Sequence, residues 1–320
     1  MSLEKIFHLK ENNTTVKTEI MAGVTSFMTM AYILAVNPNI LAAAGMDHGA
    51  VFTATAVASF IGTLCMALFA NYPFALAPGM GLNAYFAYTV VLGMGYSWEV
   101  ALAAVLTEGI IFIILSCFNI REAIFNAIPF NLKKAVSVGI GLFITFLGLQ
   151  NAKIVIGGAT LVGLFSVDGY NKTLADGLTA SMSDAGITVL LAIFGVLITG
   201  ILIVKNVKGN ILWGILITWI LGIICQFAGI YIPNPDLGFY NLLPDFSNGI
   251  SIPSLAPITF KFSLKGVPVL EFIIIVFAFL FVDLFDTLGT LIGVSAKADM
   301  LDSEGRLLRI KGALLADAVG

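Results

Sequence analysis

Charge is what this chain has least of. Asp, Glu, Lys and Arg make up 11% of its 320 residues, against about 25% in an ordinary soluble domain. Histidine occurs only at His8 and His48, outside the long apolar runs, which argues against a histidine metal site or a histidine proton relay. The three cysteines, Cys65, Cys117 and Cys225, are far apart in apolar runs and read as packing residues. There is no phosphate-binding P-loop, no zinc-ligand spacing, no Ser/His/Asp set and no basic stripe suited to nucleic acid. The first 17 residues are polar and are not followed by a short apolar core with a cleavage site, so a removed signal peptide is not expected. These absences set aside the common enzyme classes, and no cofactor is expected.

Apolar residues fill the space, at 59% of the chain, with a mean hydropathy of +1.00. That composition predicts an all-α polytopic membrane protein, since a spanning helix needs about 20 apolar residues. Candidate spans cover 18–42 (interrupted at Asn37-Pro38-Asn39), 50–70, an irregular 72–94, 99–117, 131–150, 185–204, 209–232 and 267–295. A ninth begins at Ile310. The connections 151–184 and 233–266 are rich in Gly, Pro, Asn, Asp and Ser and read as external loops. Residues 298–309 read as a charged loop. With the N-terminus cytoplasmic, 12 Lys and Arg fall inside and 4 outside, which supports that orientation and span count.

A weak internal repeat accompanies this map. Asn39–Met46 followed by Ala58–Gly62 resembles Val294–Met300 followed by Ala316–Gly320, with offsets of 254 at the methionines and 258 at the glycines. Seven spans separate the copies, and an odd number inverts the second. The expected organisation is a cytoplasmic segment 1–17, a first inverted repeat 18–232, an external loop 233–266 and the start of a second repeat at 267–320. Inverted repeats with a midplane site are typical of secondary transporters.

Two spans carry the chemistry. In Tyr72–Tyr88, Pro73, Pro78, Gly79 and Gly81 predict an extended segment followed by a half-helix starting near Leu82. The start of that half-helix offers N–H groups to a polar ligand, with Asn83 beside them. The competing reading is an ordinary proline kink capped by Asn83. In Phe281–Thr290, Asp283 and Asp286 lie one turn apart on one face of an otherwise apolar run. Each costs about 2.5–3.5 kcal/mol to insert at mid-bilayer. Mutual repulsion and burial both favour a proton on such a pair. The competing reading is a structural pair satisfied by backbone or by Thr287 and Thr290. Glu108 lies mid-span and either pairs with a neighbour or joins the polar path. Glu99, Glu122 and Glu271 read as interfacial. Gln150 and Asn151 end a span, and Trp213, Trp219, Tyr231 and Tyr240 read as interface or packing aromatics.

Four separated blocks, Thr25–Pro38, Ala77–Tyr85, Gly139–Phe143 with Gly148–Ala152, and Phe281–Gly289, resemble the AzgA-like purine permeases of the nucleobase/ascorbate transporter superfamily. The resemblance implies an inverted-repeat (7+7 type) transporter in the cell membrane. It implies proton symport of a purine base: adenine, guanine or hypoxanthine. Its substrate site would include Asn83, Asp283 and Asp286; Ala84 and Thr287 beside them are further candidates for that site, and Asp283, Asp286 and Glu108 are the candidate proton carriers. In that picture Asp283 accepts from a donor edge of the purine, while Asn83 and the half-helix N–H groups bind an acceptor edge. A homodimer is compatible with it. The family also uses a glutamate in span 10, which the 320 residues do not reach, so the expectation is a truncated chain of about 8.5 spans that would not transport alone. The alternatives are an anion permease of the sulfate-transporter type and a non-transporting channel or assembly subunit. An intramembrane aspartyl protease fits poorly, because its paired acids should come from facing helices.

Overall fold

The structure is a computed structural model that describes residues 6–118, 120–158, 160–175, 177–243, 251–302, 307 and 309–320, without the side chains at 121, 122, 125, 126, 130 and 133. The interfacial reading of Glu122, the side chains of Arg121 and Lys133, Arg306 in the charged loop and the stretch 244–250 of the second external connection lie outside the described residues.

The chain is mostly helical. The helices are α1 Val16–Met30, α2 Ile33–Ala43, α3 His48–Cys65 with a wider π-helical end Met66–Ala70, and α4 Met80–Ala84, which continues as a π-helical run through Gly93. Then come α5 Trp98–Cys117, α6 Ile120–Ala127 and α7 Phe130–Asn151. Strands β1 Val155–Gly157 and β2 Val162–Leu164 and the short α8 Val167–Asn171 precede α9 Ile187–Val204 and α10 Asn210–Phe227. The last two are α11 Val269–Lys297 and α12 Ile310–Val319. Among the described residues, 6 helical stretches are long and apolar enough to cross a membrane. Beyond these, the 29 residues of α11 rise about 43 Å, more than a bilayer core. Bulky side chains such as Ile20 (60% exposed), Phe60 (66%) and Phe227 (75%) stand on the outer faces of these helices. A soluble surface rarely exposes so many large apolar side chains, and lipid is the solvent they suit. This is a multi-pass membrane protein.

The break in the first span is not at Asn37-Pro38-Asn39. Pro38 sits inside α2, and the helix breaks at Ala31-Tyr32, nearly two turns earlier. Proline lacks the N–H that would bond residue 34 and its ring crowds that carbonyl, so the distortion falls upstream. Leu34 and Ala35 bond tightly to the carbonyls of Ala31 and Tyr32, three residues back.

The described residues divide into two compact units, Met1–Phe143 with Ile252–Gly320, and Ile144–Ser251. In the first, two apolar clusters are both built on α11. One gathers Ile275, Val276 and Phe279 with Ile40, Val51, Phe86 and Val90. The other gathers Leu288, Leu291 and Ile292 with Met66, Phe74 and Leu314. Between them, along α11, lies Asp283–Thr287.

In the second unit the connection 151–184 is more than the plain loop expected, and the fold is not purely helical. β1 and β2 pair antiparallel with Ile156 opposite Gly163. The turn works because Gly158 carries no side chain: a methyl there would stand 2.8 Å from the Val162 carbonyl carbon. Ile156 and Tyr170 then pack with Ala185, Tyr231 and Phe239. Buried Asp184 accepts from the Ser181 and Ala185 amides and from Asn234 Nδ2 at 3.0 Å, tying the entry of α9 to the loop after α10.

Helices α9 and α10 interlock reciprocally. Thr199 covers Gly214 and Thr218 covers Gly195, while Thr199 Oγ1 donates to the Gly195 carbonyl and Thr218 Oγ1 to that of Gly214, at 2.8 and 2.7 Å. Small residues let membrane helices approach closely where no hydrophobic driving force operates between them. Gly214→Val should therefore lower the detergent-solubilised melting temperature by an amount equivalent to about 1–3 kcal/mol of overpacking. Thr199→Ser should leave it close to wild type; equal melting of all three proteins would remove the interlock from this account.

Candidate functional site

The broken span begins where α3 ends. Asn71 takes a left-handed conformation (φ 54°) and stops the π-helical turn, a role short polar residues fill well. Residues 71–79 follow without helix or strand. Inside a membrane their backbone groups need protein partners. The Thr63 hydroxyl supplies two: it accepts from the Leu76 N–H at 3.0 Å and donates to the Leu76 carbonyl at 3.3 Å. Helix α4 then starts at Met80, two residues before the expected Leu82, with Gly79 as its cap in extended geometry.

Asp286 reaches that cap. A methyl added at Gly79 would lie 2.6 Å from Asp286 Oδ2, so the carboxylate occupies the space a side chain would fill. It stands beside the first turn of α4, whose N–H groups lack intrahelical acceptors, where the helix dipole favours negative charge. The helix is held against its neighbour by glycine: side chains at Gly289 and Gly293, one and two turns past Asp286, would collide with Ile140 and Ser137 of α7.

Asn83 lies one turn into α4 and donates through Nδ2 to Asn37 Oδ1 at 2.5 Å. Asn37 in turn donates to Thr55 Oγ1 at 2.7 Å, and Thr55 donates to the Val51 carbonyl at 2.7 Å. Asn37 and Thr55 are buried, 3% and 2% exposed. The sequence singled out Asn37 only as a helix breaker and did not single out Thr55 or Thr63 at all. A polar residue next to an in-span proline, and threonines at 55 and 63 on one helix, were the available signals.

The other sequence-derived candidates have distinct places. Ala84 is buried next to Asn83. Asp283 is half-buried one turn before Asp286. Thr287 is buried and donates to Asp317 Oδ2 of α12 at 2.7 Å. Thr290 donates to the backbone carbonyl of Asp286 rather than to a carboxylate. Glu108 is buried on α5, the helix that packs on both α11 and α12. The structure thus brings Asn83 and Asp286 together around one helix start. Glu271 accepts from the Tyr96 hydroxyl at the other end of α11, and this bond pushes the Tyr96 phenol above its ordinary value. Among the described residues no His/Cys/Asp/Glu group of three could hold a metal ion.

Long apolar helices, a broken span and a polar band between apolar clusters are features of a multi-pass membrane protein built around an internal polar site. Residues 17–320 match the model of the Permease family, and the chain belongs to it. It is 47% identical over 319 residues to a permease of Methanocaldococcus jannaschii. It is 42% identical over 315 residues to a guanine/hypoxanthine permease of Bacillus subtilis and 38% over 326 to an adenine permease of Escherichia coli. These matches cover 98–99% of this chain and 66%, 66% and 64% of the respective relatives, so it spans about two thirds of their length.

Thr287→Val deletes the hydroxyl that Asp317 accepts from. It should destabilise the purified protein by about 1.5–3 kcal/mol, the usual range for a hydrogen bond to a charged group, read as a lower melting temperature in detergent. Thr287→Ser should recover most of that loss.

Proposed function

We propose that this chain serves proton-coupled import of purine nucleobases across the cell membrane, with its N-terminus in the cytoplasm. The observation that carries the reading is the Asp286 carboxylate seated over Gly79 at the start of the half-helix bearing Asn83. The purine permeases among its relatives supply the substrate class. A purine presents N–H donors and ring N or exocyclic O acceptors along flat edges. Through an unprotonated oxygen, which the carboxyl keeps in either state, Asp286 accepts from a donor edge, and the α4 amides donate to an acceptor edge. Asp283, one turn away, and buried Glu108 complete the candidate proton-carrying groups, and Ala84 and Thr287 the candidate lining.

Coupling follows from keeping acids in a low-dielectric layer. A bare carboxylate there is expensive, and two carboxylates one turn apart repel. One proton from the outer side relieves both costs, travels with the purine and leaves to the cytoplasm. Uptake should therefore rise as external pH falls.

An inverted repeat fits this role, and one contact supports it. The weak sequence repeat equates Gly62 with Gly320. In the fold these two meet: a methyl on Gly320 would stand 2.7 Å from Gly62 Cα. Equivalent positions touch each other where a two-fold axis passes between them. The same reading places spans in two oppositely oriented sets, with the site near the membrane middle. A sulfate-type anion permease is disfavoured, because an acidic pair repels anions.

The test is uptake of labelled hypoxanthine and adenine by cells that lack their own purine uptake and express the full reading frame. Accumulation should collapse with a proton ionophore; equal uptake with and without it ends proton coupling. Asp286→Asn should cut accumulation at least tenfold and flatten its pH dependence. Gly79→Ala, which drives a methyl into the Asp286 carboxylate, should cut uptake by a similar factor at normal membrane abundance.

A further inference from the structure

We propose that Asn37 and Thr55 form a directional hydrogen-bond relay that locks the amide of Asn83, presenting its oxygen to the substrate, so that Asn83 recognises a donor edge: a ring N–H or an exocyclic amine.

The polarity is fixed at the far end. A hydroxyl has one proton to give. That of Thr55 goes to the Val51 backbone carbonyl at 2.7 Å, a group that can only accept. Towards Asn37, the Thr55 oxygen can therefore only accept, and Asn37 Nδ2 is the atom that meets it, at 2.7 Å. The amide of Asn37 is thereby oriented, with its Oδ1 facing α4. The partner at 2.5 Å must donate, which puts Asn83 Nδ2 at that contact and leaves Asn83 Oδ1 at the opposite corner of its amide. A flipped Asn83 would set two carbonyl oxygens against each other. Asn37 and Thr55 are almost fully buried, so water is not at hand to relieve such a clash. The relay runs through three elements, α3, α2 and α4, and ends on backbone that cannot change its polarity.

The relay departs from one detail read from sequence, in which Asn83 was to bind an acceptor edge of the purine. The acceptor edge is left to the α4 amides. Thr55 and Asn37 are positioning residues: they act on the substrate only through Asn83. The assignment rests on the purine reading above, and the experiment separates the two.

The experiment compares wild type, Thr55→Val, Thr55→Ser, Asn83→Ala and the double variant Thr55→Val/Asn83→Ala in the full-length chain. Uptake of labelled hypoxanthine is competed with hypoxanthine and its 1-, 7- and 9-methyl derivatives, each of which lacks one N–H donor. Wild type should reject at least one methyl isomer tenfold or more relative to hypoxanthine. Thr55→Val should raise KM about tenfold and shrink that rejection ratio several-fold with maximal rate little changed, and Thr55→Ser should restore both. Against Asn83→Ala, the added Thr55→Val should change neither. The relay is overturned by an unaltered KM and ratio in Thr55→Val, or by a Thr55→Val effect of equal size with and without Asn83. If wild type takes up no purine, the purine reading fails on its own, and melting temperatures of the same five purified proteins decide the relay. Non-additive shifts for Thr55 and Asn83 then uphold it, and additive shifts overturn it.

Discussion

Backbone that leaves the helix inside a membrane must find partners in the protein, because lipid offers none. Residues 71–79 impose that demand, and the first unit is arranged around meeting it. Each unmet amide or carbonyl there would cost several kcal/mol. Thr63 meets two with a single hydroxyl. Asn71 closes the preceding turn without strain, as an asparagine can. The return for this arrangement is a helix start placed within the layer instead of at its surface. Helix starts carry donors with nothing to bond, and Asp286 and Asn83 stand at this one.

The apolar clusters give these polar groups their force. Phe279 is fully buried in one cluster and Leu288 nearly so in the other. Asp283–Thr287 lies on the turns of α11 between them. An electrostatic interaction several-fold weaker in water becomes substantial when packed hydrocarbon stands on either side. The same enclosure makes each unsatisfied polar atom costly, which explains why the chain Asn83–Asn37–Thr55 terminates on a backbone carbonyl instead of ending on an open hydroxyl. Close glycine contacts do the complementary work. Gly289 and Gly293 bring α7 onto α11, and Gly79 makes room for a carboxylate where any side chain would exclude it.

Composition alone made the helical membrane class legible, and the proline and glycine cluster at 73–81 made the broken span legible to within two residues of the helix start. Composition did not locate the break in the first span, because a proline exerts its effect upstream of its own position and the helix interrupts nearly two turns before Pro38. Nor did loop composition reveal the β1–β2 hairpin: its strands are three residues each, and Ile156 is covered in part by segments as distant as Tyr231 and Phe239. The acids on α11 stood out because carboxylates are rare in apolar runs. Asn37 and Thr55 did not, since an amide and a hydroxyl are common in helices and acquire meaning only when two other helices bring their atoms within bonding distance. Gly79 was read as a loosener of backbone; its second use, as space for Asp286, depends on α11 lying where it does.

On the proposed reading, the two sides of the site have different chemistry because coupling requires it. A carboxylate that gains a proton changes from acceptor alone to donor and acceptor. If every group around the substrate could change in that way, a proton would loosen one contact while another rearranged to compensate, and its binding energy would be dispersed. A site couples best when one group switches and its neighbours cannot. Asp286 is free to switch because it is set beside helix amides that suit its ionised form and inside an apolar layer that suits its neutral one. Asn83 is not, since its amide is held through two buried residues to a carbonyl. The difference between the protonated and ionised states then falls on the substrate contact made by Asp286, and the proton gradient acts on purine affinity through that contact.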